Sequence, residues 1–564
     1  MTTDAEPQQQ LAGIGVSPGR ASGPVVAMPA PVAEPPAGST LEAGDDAEQA
    51  AERITAASSR VKSDLEQAAS RATGAGKEVL ETTAMMAADP TLVSAAQLLV
   101  RESRLTPARA VWQAAADVIN QLAALGGYMA ERTHDVADVR DRVVAALTGQ
   151  LPPGVPDVAH PFVLVASDLS PADTATLDPA RVIALVTREG GPTSHTAILA
   201  RALGIPAVVG VAGATELPEG SVVLVDGTAG TVTLDPTEEQ IAQAIALAAR
   251  VRTFDGAGRT RDGHRVPLLA NVGRPAGAQE AADAGAEGVG LFRTEFCFLD
   301  RADAPSIPEQ VEQYRQVLSA FAGKKVVVRT LDAGADKPLP FLTSADEPNP
   351  ALGVRGYRTS WRNPQVLEDQ LTAIAQAAEA ESADVWVMAP MIATVPEAAA
   401  FVEACHVHGL ATAGVMVEVP SAALQSGPIL ARAAFASIGT NDLTQYTMAA
   451  DRMLGELAPL STAWQPAVLA LIAATCAGGE RNDRPVGVCG EAAADPALAV
   501  VLVGLGVATL SMTARALPDV AAVLRSVTLA DCRDLAALAV EAESADEARQ
   551  AVRSRLAILD ELGL

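Results

Sequence analysis

The chain has 564 residues, room for several domains at about 100–200 residues each. Its 68 acidic residues outnumber 41 basic ones, for a formal net charge of −27, which excludes nonspecific binding to nucleic acid or anionic membrane; an anionic substrate must meet a local cluster of arginines. Hydrophobic residues reach 49% but aromatic ones only 3%, so the cores are built from Ala, Val and Leu. The opening MTTDAEPQQQ has no basic stretch leading into an apolar one, so no signal peptide and a cytoplasmic location are expected. Five scattered cysteines without CxxC spacing suggest neither a disulfide framework nor a zinc site.

In chain order, residues 11–31 read as an opening strand pair around a Gly-rich turn, followed by the Pro-rich connector PAPVAEPPAGS. From about Leu41 to Gly149 the pattern is helical. Ile54, Val61, Leu65 and Ala68 share one face, and Asp89-Pro90 and Thr106-Pro107 mark helix starts. Short β-type runs return with FVLVASDL, RVIALVT and PAVVGV, and SVVLVDGTAGTVTL reads as a hairpin turning at Asp226-Gly227. These runs and the first 35 residues imply one small α/β domain (1–35 and 152–236) into which an all-α domain (40–150) is inserted. Thr237 and Gln240 form a capping box that opens a linker helix, read as a stalk, within 237–260. Residues 261–564 then alternate eight short apolar runs with helix-length segments: VPLLANVG, GVGLFRTEF, KVVVRTLD, VWVMAPM, GVMVEVP, FASIGTND, PVGVCGE and TLSMT. That alternation is the pattern of a (β/α)8 TIM-type barrel. Ala497 to Met512, the longest apolar run, is interrupted by Gly504 and Gly506 and reads as a buried helix leading into a strand.

Polar residues gather near the ends of these runs: Arg293 and Glu295, Arg329 and Asp332, Glu418, Asn441 and Asp442, Cys489 and Glu491. In a barrel the C-terminal strand ends converge on one face, where active sites are built. Arg293, Arg329, Arg355, Arg452 and Lys337 are candidates for holding an anion, with surface ion pairs as the alternative for Arg355 and Lys337. Glu418 and Asp442 end adjacent strands and offer either two carboxylate ligands to one Mg²⁺ or partners to the arginines. Cys489 is either a proton donor to a carbanion or a buried structural thiol.

His195, one of only six histidines, stands in GGPTSHTAILAR. Gly190 and Gly191 allow close backbone approach, Thr193 or Ser194 caps a helix, and the helix N-terminus favours phosphate. Imidazole attacks phosphorus and leaves again. The same residue also continues the stripe of Ile198, Leu199, Ala202 and Leu203, which suits a half-buried structural histidine.

GGPTSHTAILAR, GLFRTEFCFLDR, VVVRTLDAGADKPLP, NPALGVRGYR, GVMVEVPSAA, SIGTNDLTQYTMAADR and GVCGE together resemble, in order and over essentially the whole chain, enzyme I of the phosphoenolpyruvate:sugar phosphotransferase system. The resemblance implies a swivelling phosphohistidine α/β domain, an inserted helical domain that docks the phosphocarrier HPr, and a phosphoenolpyruvate-binding barrel that forms a homodimer. It implies His195 as the phosphorylated nucleophile and Thr174 as the hydroxyl that orients it. Arg293, Arg329, Arg452 and Asn441 would hold the substrate, Glu418 and Asp442 would carry Mg²⁺, and Cys489 would protonate the enolate to pyruvate. Two positions depart from the family: Pro192 stands where arginine is common, and LETTAMMAADPTLV lacks a histidine before its Met-rich stretch. The related ATP-using dikinases need a large N-terminal domain, for which the forty residues before the helical insert leave no room.

Overall fold

The computed structural model describes residues 9–29, 32–71, 75–125, 133–156, 158–169, 177–191, 194–248, 253–299, 301, 303–334, 339–343, 347, 349–451 and 454–564. It divides into two compact units, residues 1–249 and 250–564.

The first unit is built on an eight-stranded sheet in the order β1-β8-β7-β3-β4-β5-β6-β2. In place of the expected opening pair there are three strands, β1 (Gln10–Ala12), β2 (Ile14–Ser17) and β3 (Arg20–Ala27). β4 (Phe162–Ala166), β5 (Val182–Thr187) and β6 (Ala207–Val209) run parallel to β3, while β7 (Val222–Asp226) and β8 (Thr231–Leu234) form the expected hairpin. The hairpin turn is held by Asp226, whose Oδ1 accepts from the amides of Thr228 at 3.0 Å and Ala229 at 2.8 Å. β1 and β2 lie at opposite ends of the strand order although only Gly13 separates them. The sheet therefore curls until its two edges share one residue. At that seam a Cβ on Gly227 would stand 1.9 Å from the carbonyl oxygen of Ser17, so only glycine fits.

Between β3 and β4 the chain forms the all-α insertion. Its helices are α1 (Ala47–Arg71), α2 (Ala75–Ala87), α3 (Pro90–Ser103), α4 (Pro107–Leu125) and α5 (Thr133–Thr148). Ile54, Val61 and Leu65 are buried in its core, as their spacing requires. Leu80–Ser103 is long and apolar enough to cross a membrane, but Asp89 breaks it by capping α3, its carboxylate accepting from Thr91 and Leu92. The Thr237–Gln240 capping box is present in both directions, at 2.8 and 3.2 Å. The helix it opens, α7 (Glu238–Ala248), packs on β3 and β7 rather than standing free as a stalk, because Ala244 and its neighbours have an apolar sheet to cover. α6 (His195–Leu203) lies between β5 and β6 in the chain.

The second unit is a closed barrel of eight parallel strands: β9 (Leu268–Val272), β10 (Gly288–Arg293), β11 (Lys325–Arg329), β12 (Asp384–Ala389), β13 (Ala413–Val417), β14 (Ala436–Gly439), β15 (Val486–Cys489) and β16 (Thr509–Met512). Each falls within or beside one of the eight expected runs. The run FASIGTND is shorter as a strand than expected: β14 stops at Gly439, and Asn441 and Asp442 lie in the first turn of the helix Thr440–Met448. The apolar run from Ala497 divides as expected into a buried helix, Pro496–Gly504, and β16. The main core fills the space between barrel wall and outer helices, and a smaller interior cluster, including Leu291, Val327, Met388, Met416 and Cys489, fills the barrel itself.

Replacing Gly227 by alanine is expected to destabilise the first unit by roughly 1–3 kcal/mol or more, through forced backbone displacement at the seam. A denaturant titration of the variant beside the parent chain measures it.

Candidate active site

The strand ends deliver charge to one place. Arg329 is the last residue of β11 and its guanidinium is buried. It donates to Glu295 at 2.7 Å and lies 3.1 Å from Asp332 and 3.8 Å from Glu418. Arg355 arrives from the long connection after β11 and is equally buried, with its Nη2 3.0 Å from Asp442 and 3.5 Å from Asp332. The sequence left a surface ion pair open for Arg355; its burial rules out the surface. Asp332, Glu418 and Asp442 each place an oxygen within 4.8 Å of the others, a spacing that suits a single cation.

Burial of like charges has a titration consequence. Removal from water, with Asp332 and Asp442 alongside, pushes the Glu418 carboxyl up to about 8, against the opposing pull of Arg329 and of the Met391 amide. That amide donates to Glu418 Oε2 at 2.9 Å from a residue with φ of 58°, in the left-handed region, so the turn after β12 holds a strained backbone that aims an N–H at the carboxylate. Burial presses Arg329 toward neutrality, but Glu295, Asp332 and Glu418 more than offset it and the group stays charged. Gly439 at the end of β14 has no room for a side chain, because a Cβ would meet Glu418 at 2.7 Å.

Cys489 ends β15 inside the barrel, paired in register with Gly439. Burial pushes its thiol up to about 11, and Sγ donates to the carbonyl of Ile438 at 3.4 Å. At neutral pH the thiol keeps its proton. Arg293 ends β10 with an exposed side chain, and Asn441 is half-buried at the start of its helix, near Gly490. Arg452, Lys337 and Thr174 lie outside the described residues. Asp332 is the carboxylate that sequence reading placed at the site without giving it a ligand role; its position three residues past Arg329, on the neighbouring turn, was the available signal.

In the first unit, Ser194 is the N-cap of α6, its Oγ accepting from the amide of Ala197 at 3.3 Å. His195 is the first helical residue; its side chain lies outside what is described. Gly190 turns the chain at a φ of 100°, Ser194 N–H donates to Gly191 O at 3.0 Å, and the Thr196 hydroxyl reaches Asp168 at 3.2 Å. His195 therefore stands at a capped helix N-terminus, the positive end of the helix dipole, an arrangement suited to phosphate.

Comparison with known proteins identifies the regions in which these residues lie. Residues 12–132 match the N-terminal domain, 158–230 the mobile domain and 248–529 the PEP-binding domain of PEP-utilising enzymes. The chain is therefore a PEP-utilising enzyme. It is 52% identical to the phosphoenolpyruvate-protein phosphotransferase of Streptomyces coelicolor over 97% of this chain and 99% of that one. It is also 40% identical to that of Haloferax volcanii, over 96% and 98% of the two chains. A multiphosphoryl transfer protein of Xanthomonas campestris is 39% identical over 97% of this chain and 67% of its own length. This chain belongs to the phosphoenolpyruvate-protein phosphotransferase family, enzyme I, and carries out phosphoenolpyruvate-dependent phosphotransfer.

A consequence for stability follows from Glu418. Its carboxyl keeps a proton in the fold up to about 8 and loses it near the ordinary 4.5 once unfolded. Between those values the folded chain binds the extra proton, so with a chelator present stability falls as pH rises through the window. Glu418→Gln is expected to remove that slope, raising stability relative to the parent chain by a few kcal/mol at the alkaline end. Denaturant midpoints of the two proteins between pH 5 and 8.5 test it.

Proposed function

We propose that this enzyme transfers the phosphoryl group of phosphoenolpyruvate to its own His195 and then to the phosphocarrier HPr, releasing pyruvate, as the first step of a bacterial sugar phosphotransferase system. The observation that carries the reading is the buried cluster of carboxylates and guanidinium groups at the C-terminal end of a barrel in the PEP-binding region. It occurs in the same chain as a histidine at a capped helix start in the mobile-domain region.

Each residue has a physical task. Arg293, Arg329 and Arg355 hold the substrate phosphate and carboxylate through bidentate donors, aided by Asn441, Arg452 and Lys337. Glu418 and Asp442, joined by Asp332, would hold Mg²⁺: the three carboxylates lie close enough together to share one ion, and oxygen donors are what this hard cation prefers. Mg²⁺, when bound, neutralises charge on the phosphoryl oxygens. The arginines do the same from the protein side and hold the phosphorus in line for attack, which is most of what phosphoryl transfer requires. His195 is the attacking nucleophile, with the amides at the start of α6 stabilising the phosphate it gains and Thr174 orienting the ring. Cys489, a protonated thiol within the barrel, gives its proton to the enolate carbon and yields pyruvate.

HPr docks on the helical insertion, where the LETTAMMAADPTLV stretch replaces the usual histidine-bearing one and alters the contact surface. The barrel mediates homodimer formation, and the enzyme works in the cytoplasm.

Incubation with radiolabelled phosphoenolpyruvate and Mg²⁺ is expected to give acid-labile label that passes to HPr, that His195→Ala abolishes and that labelled ATP does not supply. Label that never reaches HPr would replace HPr by another acceptor; absence of label would overturn the mechanism. Cys489→Ala is expected to slow pyruvate formation by at least about 10²-fold.

A further inference from the structure

Gln370 lies on the inward face of the helix Pro364–Ala380, among Leu371, Ala373, Ile374 and Ala377, with 1% of its surface exposed. An amide in such a place is costly unless its polar atoms find partners. Here both ends do. Its Oε1 accepts from the amide of Leu331 at 2.8 Å, and its Nε2 donates to the Thr294 hydroxyl at 3.0 Å and to the Tyr314 phenol oxygen at 3.1 Å. The Thr294 hydroxyl in turn donates to the carbonyl of Arg329 at 2.9 Å.

These partners flank the candidate active site. Thr294 follows Arg293 and precedes Glu295; Leu331 stands between Arg329 and Asp332. On the side facing the site, Glu295 Oε1 accepts from Arg329 Nη2 at 2.7 Å and from the amide of Asp332 at 3.1 Å. The turns that leave β10 and β11 are thus fastened to each other by Glu295 at the site, by the direct bond from Thr294 to the Arg329 carbonyl, and by Gln370 from within the wall of packed helices. Tyr314 continues the chain outward, its hydroxyl donating to Gln310 at 2.9 Å.

We infer that Gln370 is a positioning residue for the active site: it touches no substrate group, but sets where Asp332 and the Arg329 head lie by holding Leu331 and Thr294. The inference rests on the proposed cation and phosphoenolpyruvate site. Replacing it by leucine strands the Leu331 amide in an apolar setting and takes from Thr294 the amide donor, leaving that hydroxyl its bond to the Arg329 carbonyl, so the turns shift to find new partners. Groups that orient ligand residues from behind typically affect metal affinity by about 10–100-fold.

The test uses the full chain and Mn²⁺ as the probe, titrated by electron paramagnetic resonance well below the unfolding temperature, together with KM and kcat for phosphoenolpyruvate. Gln370→Leu is expected to weaken Mn²⁺ binding about tenfold and to raise KM for phosphoenolpyruvate by a similar factor. Gln370→Glu, which keeps the acceptor for Leu331 but has at most one proton for the two bonds that the amide donates to Thr294 and Tyr314, is expected to fall between, and serves if the leucine variant does not fold. Tyr314→Phe removes a buried hydroxyl from the same chain of bonds and lowers the unfolding temperature, but leaves Mn²⁺ affinity and KM within about twofold. Parental Mn²⁺ affinity and KM in the Gln370 variants, or equal losses in Tyr314→Phe, would overturn the positioning role. If the parent chain binds no Mn²⁺, the cation reading fails and KM alone decides the role of Gln370.

Discussion

Among the described residues, four carboxylates, Glu295, Asp332, Glu418 and Asp442, share one buried volume with two buried guanidinium groups, Arg329 and Arg355. Charges removed from water must be paired or neutralised, and this set has more anions than cations. Two remedies are chemically available: a proton on one carboxyl, as on Glu418, or a cation among the oxygens. Much of the surrounding structure serves to keep the imbalance in place. The parallel strands bring distant segments of the chain to one face, the strained Met391 turn supplies an amide to the most heavily buried carboxylate, and Gly439 yields its side-chain volume to Glu418. A site poised in this way gains free energy when a divalent cation and a trianionic substrate arrive together, because each satisfies charge that the other leaves.

The two units divide the chemistry. The barrel gathers buried anions and cations at its strand ends and keeps a protonated thiol close by. The first unit instead offers a helix start, where orientation of amides rather than net charge favours phosphate. One site is suited to breaking a phosphate ester and the other to holding the phosphoryl group that results. A chain with strong overall negative charge thereby handles an anionic substrate without a basic surface.

Most of the architecture was legible in the residues. All eight barrel strands could be found because each is a short apolar run bounded by turn residues, and the α3 and α4 starts because Asp-Pro and Thr-Pro punctuate helices so strongly. Local signals were weaker where tertiary packing decides. Residues 440–442 continue the composition of β14 yet turn helical, since the barrel rim needs a sharp exit from the strand. The helix after Thr237 has the caps of a free-standing stalk, but nothing in its own sequence says that a sheet will cover its apolar face. In the site, residues next to strand ends were found by position alone. Gln370 was not, because its role depends on a helix face and two turns more than 35 residues away. For Arg355 residue type alone left anion binding and a surface ion pair open, because the inward path of its loop is decided by packing.

The helical insertion leaves the sheet after β3 and returns at β4, two strands that are parallel neighbours with Val25 opposite Val163. Parallel neighbours always need a connection that travels back along the sheet, and here the helical bundle is that connection. It enters and leaves at adjacent strands, and the amide of Met28 still bonds to Val165 where the chain departs. The register of the sheet is therefore set independently of the bundle's length and surface. The surface of the insertion can therefore be rewritten, helix by helix, without disturbing the strands that lead to His195.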